Sequence, residues 1–406
     1  KLNIKITEND IVYYTDGASN SIVFNIFGKY LIKTVDYIPL KSQNEFLKIW
    51  PKGIIGYSFK TNNLPWIIKY MKGNGLWAEV VSSDEYQLAK AIGYKNENII
   101  FNGPVKGKNE FIEAVEGGAV VNIDSKRELE WLLECNLAKS KIGLRVNFCL
   151  ENYCPGESQE EREDGRFGFS YEKNELKKAI DFLEYHNISL SGLHLHCSSK
   201  TRSLNIYKTI ATVAEQIVRG YKLNLNYIDI GGGFFGGVEG KPTFKEYFSE
   251  VNSIFLSNAL LKDINVIIEP GMSLIGASVD YCTTVIDTKI TKNNFFVLLD
   301  GSRIHIDPLM RKERYTYHIQ RNKSVKKTEN INQILCGFTC MEGDRFFVLN
   351  DQPLKIGDKV IFQKVGAYTM GLSPQFIEFY PPVYAEQNGK IEVARRKKNA
   401  ADFIGW

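Results

Sequence analysis

The stretch that decides the fold is a strand–helix–strand unit between residues 190 and 233. It reads LSGLHLH (Leu190–His196), then LNIYKTIATVAEQIVR (Leu204–Arg219), then YIDIGGG (Tyr227–Gly233). The two apolar runs have the length of buried strands, and the segment between them repeats apolar residues at helical spacing. Two buried strands joined by a helix indicate a parallel βα unit.

The same alternation continues on both sides of this unit. The strand candidates are Gly53–Phe59, Leu76–Val80, Asn98–Phe101, Ala119–Asn122, Lys141–Asn147, Leu190–His196, Tyr227–Ile230 and Val266–Glu269. The helical patterns between them are Leu64–Met71, Ser83–Ala91, Lys108–Ala114, Ser125–Cys135, Lys173–His186, Leu204–Arg219 and Thr243–Leu256. Eight short buried strands separated by helices predict an α/β fold, a (β/α)8 TIM-like barrel. In such a barrel the chemistry lies where the strands end.

The pattern changes after about residue 278. Strand-like runs follow one another there without helices of comparable length, at Val279–Ile290, Asn294–Leu299, Gln333–Leu335 and Lys359–Gln363. The opening of the chain, at Ile11–Tyr14 and Ser21–Lys33, also has the pattern of strands. We therefore predict N-terminal strands in residues 1–35 that pack with a C-terminal β domain (279–406), and a barrel in residues 36–278.

Composition excludes several classes of protein. Among the 406 residues, 44% are hydrophobic and 24% are charged, which is typical of a globular chain. The net charge is only +4, and the longest basic run, at 395–398, is typical of a solvated helix face. We predict a small-molecule partner rather than nucleic acid. The seven cysteines form no CxxC pair, and neither a membrane-spanning run nor a signal-peptide segment is evident, so we expect a cytoplasmic protein without membrane association.

Two motifs at predicted strand ends are candidates for binding a cofactor. Lys60 follows an apolar strand, and an amine that is partly desolvated at a barrel mouth has a lowered pKa and is available for imine formation. Gly231, Gly232 and Gly233 follow another strand, where backbone N–H groups can approach a phosphate closely. Taken singly, a lysine that reaches solvent and a flexible turn explain these residues equally well.

Three further side chains stand at strand ends. Glu269, in Glu-Pro-Gly, is placed to pair with a protonated ring nitrogen or to form an ordinary salt bridge. His194 and His196 alternate on one strand and share a face. An HxH pair can bind metal, but no third ligand at matching spacing is evident, so we predict no metal site. Stacking of one imidazole on an aromatic cofactor and core packing of both remain open.

Taken in order, these motifs resemble the fold-type III pyridoxal-phosphate decarboxylases, the family of diaminopimelate and ornithine decarboxylases. The motifs are Tyr57–Asn62, Ala78–Glu85, Leu144–Asn147, Arg166–Gly168, Gly192–His196, Asp229–Gly233, Glu269–Gly271, Cys340–Asp344 and Gly366–Tyr368. The resemblance implies a pyridoxal-phosphate barrel followed by a β-sandwich or barrel domain, as in alanine racemase-like folds.

The resemblance also implies roles for individual residues. Lys60 would hold pyridoxal 5'-phosphate through an imine, His196 would stack on its ring, and Glu269 would keep the ring nitrogen protonated, so that the ring acts as an electron sink. The implied cofactor-binding set is Lys60, Glu79, Arg145, His196, Ser199, Gly231, Gly232, Gly233, Glu269, Gly271 and Tyr368. Family members are head-to-tail homodimers, in which Cys340 would enter from the partner chain as the catalytic proton donor.

The sequence departs from the family pattern where the substrate is recognised. Diaminopimelate decarboxylases usually have Arg where Met272 stands, and their Arg-Pro-x-Leu-Tyr is matched by residues 307–311, with Asp307 for Arg and Arg311 for Tyr. Met341 follows Cys340 where that family has Glu and ornithine-type enzymes have Asp. The implied substrate-binding residues are Arg303, Asp307, Arg311, Met341 and Tyr368.

We therefore predict decarboxylation of a variant L-amino acid or amino-acid derivative, in amine, polyamine or siderophore biosynthesis. Two alternatives remain. A fold-type III racemase would use the same barrel and lysine, but racemases favour Arg at the ring nitrogen, whereas this chain has Glu269. A non-catalytic, protein-binding homologue would tend to lose the lysine or the cysteine, and both Lys60 and Cys340 are present.

Overall fold

The computed structural model describes residues 11–15, 20–24, 28–33, 38–159, 165–236, 238, 240–322, 329–387 and 390–404. The chain divides into two compact units, one of residues 36–275 and one that combines residues 1–35 with residues 276–406. No helix in the described ranges combines the length and apolarity needed to cross a membrane.

The strands and helices are numbered in chain order. The strands are β1 (Ile11–Thr15), β2 (Asn20–Phe24), β3 (Lys29–Ile32), β4 (Ile54–Ser58), β5 (Trp77–Val80), β6 (Ile99–Phe101), β7 (Val120–Ile123), β8 (Lys141–Asn147), β9 (Phe169–Ser170), β10 (Leu190–His194), β11 (Tyr227–Asp229), β12 (Asn265–Ile268), β13 (Val279–Ile290), β14 (Phe295–Leu299), β15 (Thr316–Gln320), β16 (Ile331–Cys336), β17 (Arg345–Asp351), β18 (Lys359–Gln363), β19 (Val383–Gln387) and β20 (Lys390–Arg395). The helices are α1 (Ile38–Ile49), α2 (Pro65–Gly73), α3 (Ser83–Ile92), α4 (Lys108–Glu116), α5 (Lys126–Trp131), α6 (Glu175–Tyr185), α7 (Leu204–Tyr221), α8 (Phe244–Leu256), α9 (Met272–Ile275), α10 (Arg303–Ile306) and α11 (Ala400–Ile404).

The unit of residues 36–275 is a closed parallel barrel. Strands β4, β5, β6, β7 and β8 pair in sequence order, β8 pairs with β10, and β10, β11 and β12 continue the ring. Pairing of β12 with β4 closes it, and the short β9 adds to β8 outside the ring. Because the strands are parallel, their carboxyl ends meet at one mouth. The predicted eight-stranded barrel is confirmed.

Local sequence explains where the barrel helices begin and end. Ser82 accepts a hydrogen bond from the Glu85 N–H at the start of α3, and Gly93 ends that helix with φ 91°. Helix α8 begins with a reciprocal capping box between Thr243 and Glu246. Such caps satisfy backbone groups that a helix terminus leaves without partners.

Two strand glycines make room for a tyrosine inside the barrel. An added Cβ on Gly192 would lie 2.4 Å from the Tyr227 ring, and one on Gly143 would lie 2.3 Å from its hydroxyl. Tyr227 packs in an apolar cluster with Ile100, Val120 and Ile267. The glycines in β8 and β10 therefore allow a bulky side chain to fill the barrel interior.

The second unit is a β domain, as the sequence predicts. Its main sheet has the order β17-β16-β14-β13-β3-β19-β20, and β18 joins β13 to β15. The sheet is mixed, because β14 pairs with β16 and β19 with β3 in parallel, whereas the other pairs are antiparallel. The predicted strand Ser21–Lys33 consists of β2 and β3, and residues 25–27 lie outside the described part.

The sequence interpretation was wrong about one surface feature and incomplete about others. Arg395, at the start of the basic run, ends strand β20 and does not lie on a helix. Its Nε donates to the Pro381 carbonyl (3.3 Å), so tertiary contacts bind this end of the strand. Strands β15, β17, β19 and β20 are not among the predicted strands. The residues of β15, β19 and β20 are largely half-exposed or exposed and offer only short apolar runs. The apolar run Phe346–Leu349 in β17 was a signal that the sequence interpretation missed.

Candidate active site

Lys60 lies immediately after β4, in a turn of 3-10 helix formed by Phe59–Thr61. Its Nζ is 3.0 Å from Oε2 of Glu79, a fully buried carboxylate on β5. The Ser58 hydroxyl donates to the same oxygen (2.6 Å). The Lys60 side chain is 39% exposed, so the amine is oriented by a buried acid and remains accessible from the barrel mouth.

Glu269 lies directly after β12 and is also buried. Its Oε2 is 3.4 Å from Nε2 of His194 on β10. The Arg145 guanidinium on β8 approaches the same imidazole nitrogen at 3.0 Å, and it donates to the His196 carbonyl at 2.6 Å. The Nε2 atom of His194 therefore contacts both the Glu269 carboxylate and the Arg145 guanidinium.

Asn102, just after β6, connects the two acids. Its amide nitrogen donates to Glu79 Oε1 at 3.0 Å and makes a short hydrogen bond to Glu269 Oε1. Its oxygen accepts from Asn122 (2.8 Å), whose own oxygen accepts from the Tyr227 hydroxyl (2.9 Å). The sequence interpretation missed both asparagines. The available signal was an amide at the end of an apolar strand, where parallel strands converge.

Asp229, on β11, is a second buried acid beside Glu269. Burial, and next the charge of Glu269, raise the pKa of Asp229 well above its usual value. Burial also opposes ionisation of Glu269. The electrostatic interaction with His194 and the hydrogen bonds that His194 and Asp229 make to Glu269 outweigh burial, so the pKa of Glu269 is lowered. The opposite shifts of the two pKa values favour the negative charge on Glu269 and a proton on Asp229.

The two histidines are neutral near pH 7. Burial, and next the charge of Arg145, lower the pKa of His194 to about 4. Burial likewise lowers the pKa of His196 well below its usual value. At neutral pH His194 therefore stabilises Glu269 through a hydrogen bond and not through a full charge. A neutral His196 offers a flat aromatic face.

The glycine segment after β11 is bound closely to its neighbours. Gly231 and Gly233 have φ values of 68° and 95°, which favour glycine. The Gly232 N–H donates to His196 Nδ1 (3.3 Å), and the Tyr207 hydroxyl donates to the Gly232 carbonyl (2.8 Å). An added Cβ on Gly232 would lie 2.1 Å from the Glu269 carbonyl oxygen. The segment therefore lies directly against the backbone of Glu269 and Pro270.

Gly271 links the glutamate segment to the lysine turn. An added Cβ there would lie 1.9 Å from Thr61 Oγ1 and 3.1 Å from Ser58 Cβ. The absence of a side chain at Gly271 thus lets the chain after Glu269 lie against the turn that carries Lys60. Ser199, after β10, is buried as well.

These barrel residues fit pyridoxal phosphate. An accessible amine, a buried anionic carboxylate and a neutral imidazole share one mouth with a glycine segment that would reject side chains. Two buried donors there, Arg145 Nε and Ser273 Oγ, have no hydrogen-bond partner in the described part of the chain. Unsatisfied buried donors are costly, and an anionic ligand would satisfy them.

One cluster could by its geometry hold a metal ion. His194, Asp229 and Glu269 each offer a ligand atom, and these atoms lie within 4.8 Å of one another. Protein donors already contact both acids, since the Gly231 N–H binds Asp229 (2.9 Å) and Asn102 binds Glu269. The raised pKa of Asp229, caused first by burial, favours a proton there over a cation.

The remaining predicted site residues lie in the β domain. Cys340 is exposed and Met341 is half-buried, in the turn between β16 and β17. Asp344 holds this turn in place, because its Oδ2 accepts from the Thr339 hydroxyl (2.7 Å) and the Ser302 hydroxyl (3.0 Å). The turn thus presents the Cys340 thiol on the surface of its own unit.

Arg303 and Asp307 form an ion pair within the β domain. Arg303 Nη2 is 2.8 Å from Asp307 Oδ2, and the Tyr315 hydroxyl donates to the same oxygen (3.0 Å). The Arg311 N–H donates to Asp307 Oδ1 (3.0 Å), while the Arg311 side chain is exposed. Tyr368 is 41% exposed with φ 55°. Asp307 therefore organises this loop through contacts with its own chain.

The chain has a closed parallel barrel with a lysine and a buried acid at its mouth, and it has a separate mixed-sheet domain. These features define the class of barrel enzymes that use pyridoxal phosphate. Residues 40–276 match the family described as "Pyridoxal-dependent decarboxylase, pyridoxal binding domain", and residues 277–366 match its "C-terminal sheet domain". The chain belongs to the pyridoxal-dependent decarboxylase family. It is a carboxy-lyase that uses pyridoxal phosphate and acts on a small amino-acid substrate.

Individual relatives agree with this assignment. The chain is 28% identical over 374 residues to the "Probable diaminopimelate decarboxylase, chloroplastic" of Oryza sativa subsp. japonica, covering 87% of this chain and 74% of the relative. It is 26% identical to the diaminopimelate decarboxylase of Aquifex aeolicus, covering 88% and 86%. The racemase and non-catalytic alternatives are not supported by these matches.

Solved structures show the same fold. The diaminopimelate decarboxylase of M. jannaschii in complex with L-lysine aligns with a TM-score of 0.79 at 22% identity, covering 93% of this chain and 91% of that one. The arginine decarboxylase of Paramecium bursaria Chlorella virus bound to agmatine aligns with a TM-score of 0.74 at 21% identity, covering 89% and 96%. At this identity the likeness concerns the fold.

Proposed function

We propose that this enzyme decarboxylates an L-amino acid or amino-acid derivative other than diaminopimelate, with Lys60 as the residue that binds the cofactor. The observation that carries the proposal is the buried network from Lys60 through Glu79 and Asn102 to Glu269. It places an amine and an anionic carboxylate at one barrel mouth, as attachment of an aldehyde cofactor and retention of its ring proton require.

The barrel residues have separate tasks in this proposal. When bound, pyridoxal phosphate supplies an electron sink for the charge left after carbon dioxide departs. Lys60 provides the amine that binds the cofactor aldehyde, and Glu79 orients that amine. Glu269 would hold the proton of the ring nitrogen, because its own pKa is lowered while that of the neighbouring Asp229 is raised, which favours the negative charge on Glu269. The neutral imidazole of His196 would pack against the ring.

Three further groups complete the proposed cofactor site. Arg145 positions His194 and the His196 backbone through its guanidinium. The glycine segment 231–233, with Gly271 and Ser199, leaves room for the phosphate. Tyr368, from the β domain, adds a hydroxyl in the shared site described next.

The proposed enzyme is a homodimer with shared active sites. The Cys340 thiol is exposed on its own unit and lies in a turn held by buried Asp344. A second copy of the chain would bring this thiol to the barrel mouth, where it donates the proton that replaces the lost carboxyl group. All seven cysteines are free thiols, which supports a reducing, cytoplasmic setting.

The distal end of the substrate is proposed to meet the loop around Asp307. Both Asp307 oxygens accept hydrogen bonds from their own chain, so Asp307 would position Arg303 in that loop. In the described residues no carboxylate pairs with the exposed Arg311 guanidinium. The exposed Arg311 guanidinium suits a distal carboxylate of the substrate, and Met341 adds no negative charge where diaminopimelate decarboxylases have Glu. Such a product would serve amine, polyamine or siderophore biosynthesis.

The test is carbon dioxide release by the purified protein with pyridoxal phosphate and a panel of acidic, basic and dicarboxylic L-amino acids, diaminopimelate included. We expect release with an acidic or derivatised substrate and little with diaminopimelate. Borohydride reduction should label Lys60, and Lys60→Ala should abolish both labelling and release. Lys72→Ala, a lysine on α2, is the control. Borohydride labelling at another lysine, or release chiefly from diaminopimelate, would contradict the proposal.

A further inference from the structure

Met272 and Arg202 meet beside the glycine segment. Met272 directly follows Gly271, and Arg202 Nη1 lies 3.2 Å from its sulfur. A thioether sulfur is a weak acceptor, whereas a guanidinium has five N–H donors. The contact therefore leaves most of the hydrogen-bonding capacity of Arg202 unused.

The Arg202 backbone and side chain are both held in place. The Tyr247 hydroxyl donates to the Arg202 carbonyl (2.6 Å), and the guanidinium stacks over the Phe235 ring, 5.2 Å from its centre. Arg202 has a φ of 54°, a conformation that is uncommon for residues other than glycine. Within the described ranges no carboxylate forms an ion pair with it. A positioned cation without an anionic partner is thus present at this point of the barrel.

A second observation points to an anion at the same place. Ser273 is only 5% exposed, and its hydroxyl has no hydrogen-bond partner in the described chain. An added Cβ on Gly236 would lie 2.1 Å from the Ser273 carbonyl oxygen, so the chain just after the glycine segment packs against residue 273. The unpartnered hydroxyl of Ser273 therefore belongs to the residue next to Met272, which Arg202 contacts. The chain just after the glycine segment packs against the same place.

We propose that Arg202 is the cation that binds the phosphate of the cofactor, with Ser273 as a neutral donor. This inference rests on binding of pyridoxal phosphate at this mouth. A guanidinium and a phosphate dianion form paired, charge-assisted hydrogen bonds. Met272 offers no charge at this position, so Arg202 supplies it from the loop between β10 and α7.

The test compares two ligands that differ only in the phosphate. Apoprotein is titrated with pyridoxal phosphate and with pyridoxal, and binding is followed by tyrosine and tryptophan fluorescence and by equilibrium dialysis. Arg202→Gln should weaken the affinity for pyridoxal phosphate about 10- to 100-fold, the range of a charge-assisted hydrogen bond. Its affinity for pyridoxal should change less than about twofold. Arg202→Lys should retain part of the preference for the phosphate.

Two further variants separate a direct contact from general electrostatics. Lys241 stacks on the same Phe235 ring, 5.4 Å from its centre, so Lys241→Gln removes a neighbouring charge. It should change the affinity for pyridoxal phosphate less than about threefold. Adding Met272→Arg to Arg202→Gln returns a guanidinium to the pocket and should restore binding. Thermal unfolding of each apoprotein verifies the fold.

The outcomes distinguish failure of this inference from failure of the proposed function. If wild type binds neither ligand, or Lys60 is not labelled, the proposed function is wrong and the inference falls with it. If wild type prefers pyridoxal phosphate and Arg202→Gln keeps that preference, only the inference is overturned. Equal weakening of both ligands by Arg202→Gln, or an equal effect of Lys241→Gln, would also overturn it.

Discussion

Asn102 donates a hydrogen bond to Glu269 across 167 residues of sequence. The same amide nitrogen donates to Glu79, which contacts Lys60. One neutral side chain therefore joins the acid proposed for the ring nitrogen to the amine proposed for the aldehyde. Because both acids are buried, the geometry of the site depends on this amide.

Replacement of Asn102 by Ala should destabilise the apoprotein. It removes the hydrogen bond to Glu269 Oε1 and one of the two hydrogen bonds to Glu79 Oε1, at a cost of about 1–3 kcal/mol in the free energy of unfolding. Urea denaturation measures this change, and carbon dioxide release should fall as well. Asn98→Ala, four residues earlier and half-buried, is the control. An Asn102→Ala protein as stable as wild type would contradict the bridging role.

The proton shared by Asp229 and Glu269 predicts unequal effects of two similar substitutions. Glu269→Gln removes the negative charge and should lower the rate of carbon dioxide release about 100-fold or more. Asp229→Asn replaces a carboxyl group whose raised pKa favours the neutral form, so it should lower the rate less than about tenfold, the value of one neutral hydrogen bond. Steady-state rates at pH 7 test this order. Equal losses would show that the charge is not confined to Glu269.

Glu85 should make stability depend on pH. Burial raises its pKa from 4.5 to about 7 in the folded state. The folded chain therefore retains a proton that the unfolded chain releases, and the associated stability, full below pH 4.5, is lost as pH rises through 7. Relative to Glu85→Gln, wild type should lose up to about 3 kcal/mol over this interval.

Urea midpoints measured at a series of pH values test the Glu85 prediction. Asp84→Asn, at an exposed neighbouring carboxylate, is the matched control. A constant difference between wild type and Glu85→Gln across this pH interval would contradict protonation of Glu85 in the folded state.

Shared active sites predict complementation between two defective chains. Lys60→Ala lacks the amine and Cys340→Ala lacks the proton donor, so each should form little correct amine product alone. A refolded equal mixture should recover about a quarter of wild-type activity, because half of the dimers are mixed and each has one intact site. Product analysis by NMR measures the recovery. No recovery above the sum of the separate variants would exclude sharing between chains.

Arg311 should control the affinity for the substrate. If its guanidinium binds a distal carboxylate, Arg311→Ala should raise KM about tenfold or more for the acidic substrate identified in the panel, with kcat little changed. Arg314→Ala removes another exposed guanidinium three residues away and serves as the control. Equal KM values for wild type and Arg311→Ala would place the distal end elsewhere.

Periodicity in the sequence was enough to predict the barrel. Strands such as β7 are buried on both faces and are separated by amphipathic helices such as α7, and these patterns are local. In the β domain only part of the sheet was predictable. Strand β15 is largely exposed along its length, and its pairing with β18 establishes it as a strand.

By itself, the sequence determined the fold and the strand ends that carry Lys60, Glu269 and the glycines, because parallel strands bring their carboxyl ends to one mouth. Only the tertiary structure decided that Asn102 connects two acids, that burial beside Glu269 raises the pKa of Asp229, and that Arg202 reaches Met272. These features depend on distances between residues far apart in the chain and on the removal of water around them. Neither quantity leaves a local pattern in the sequence.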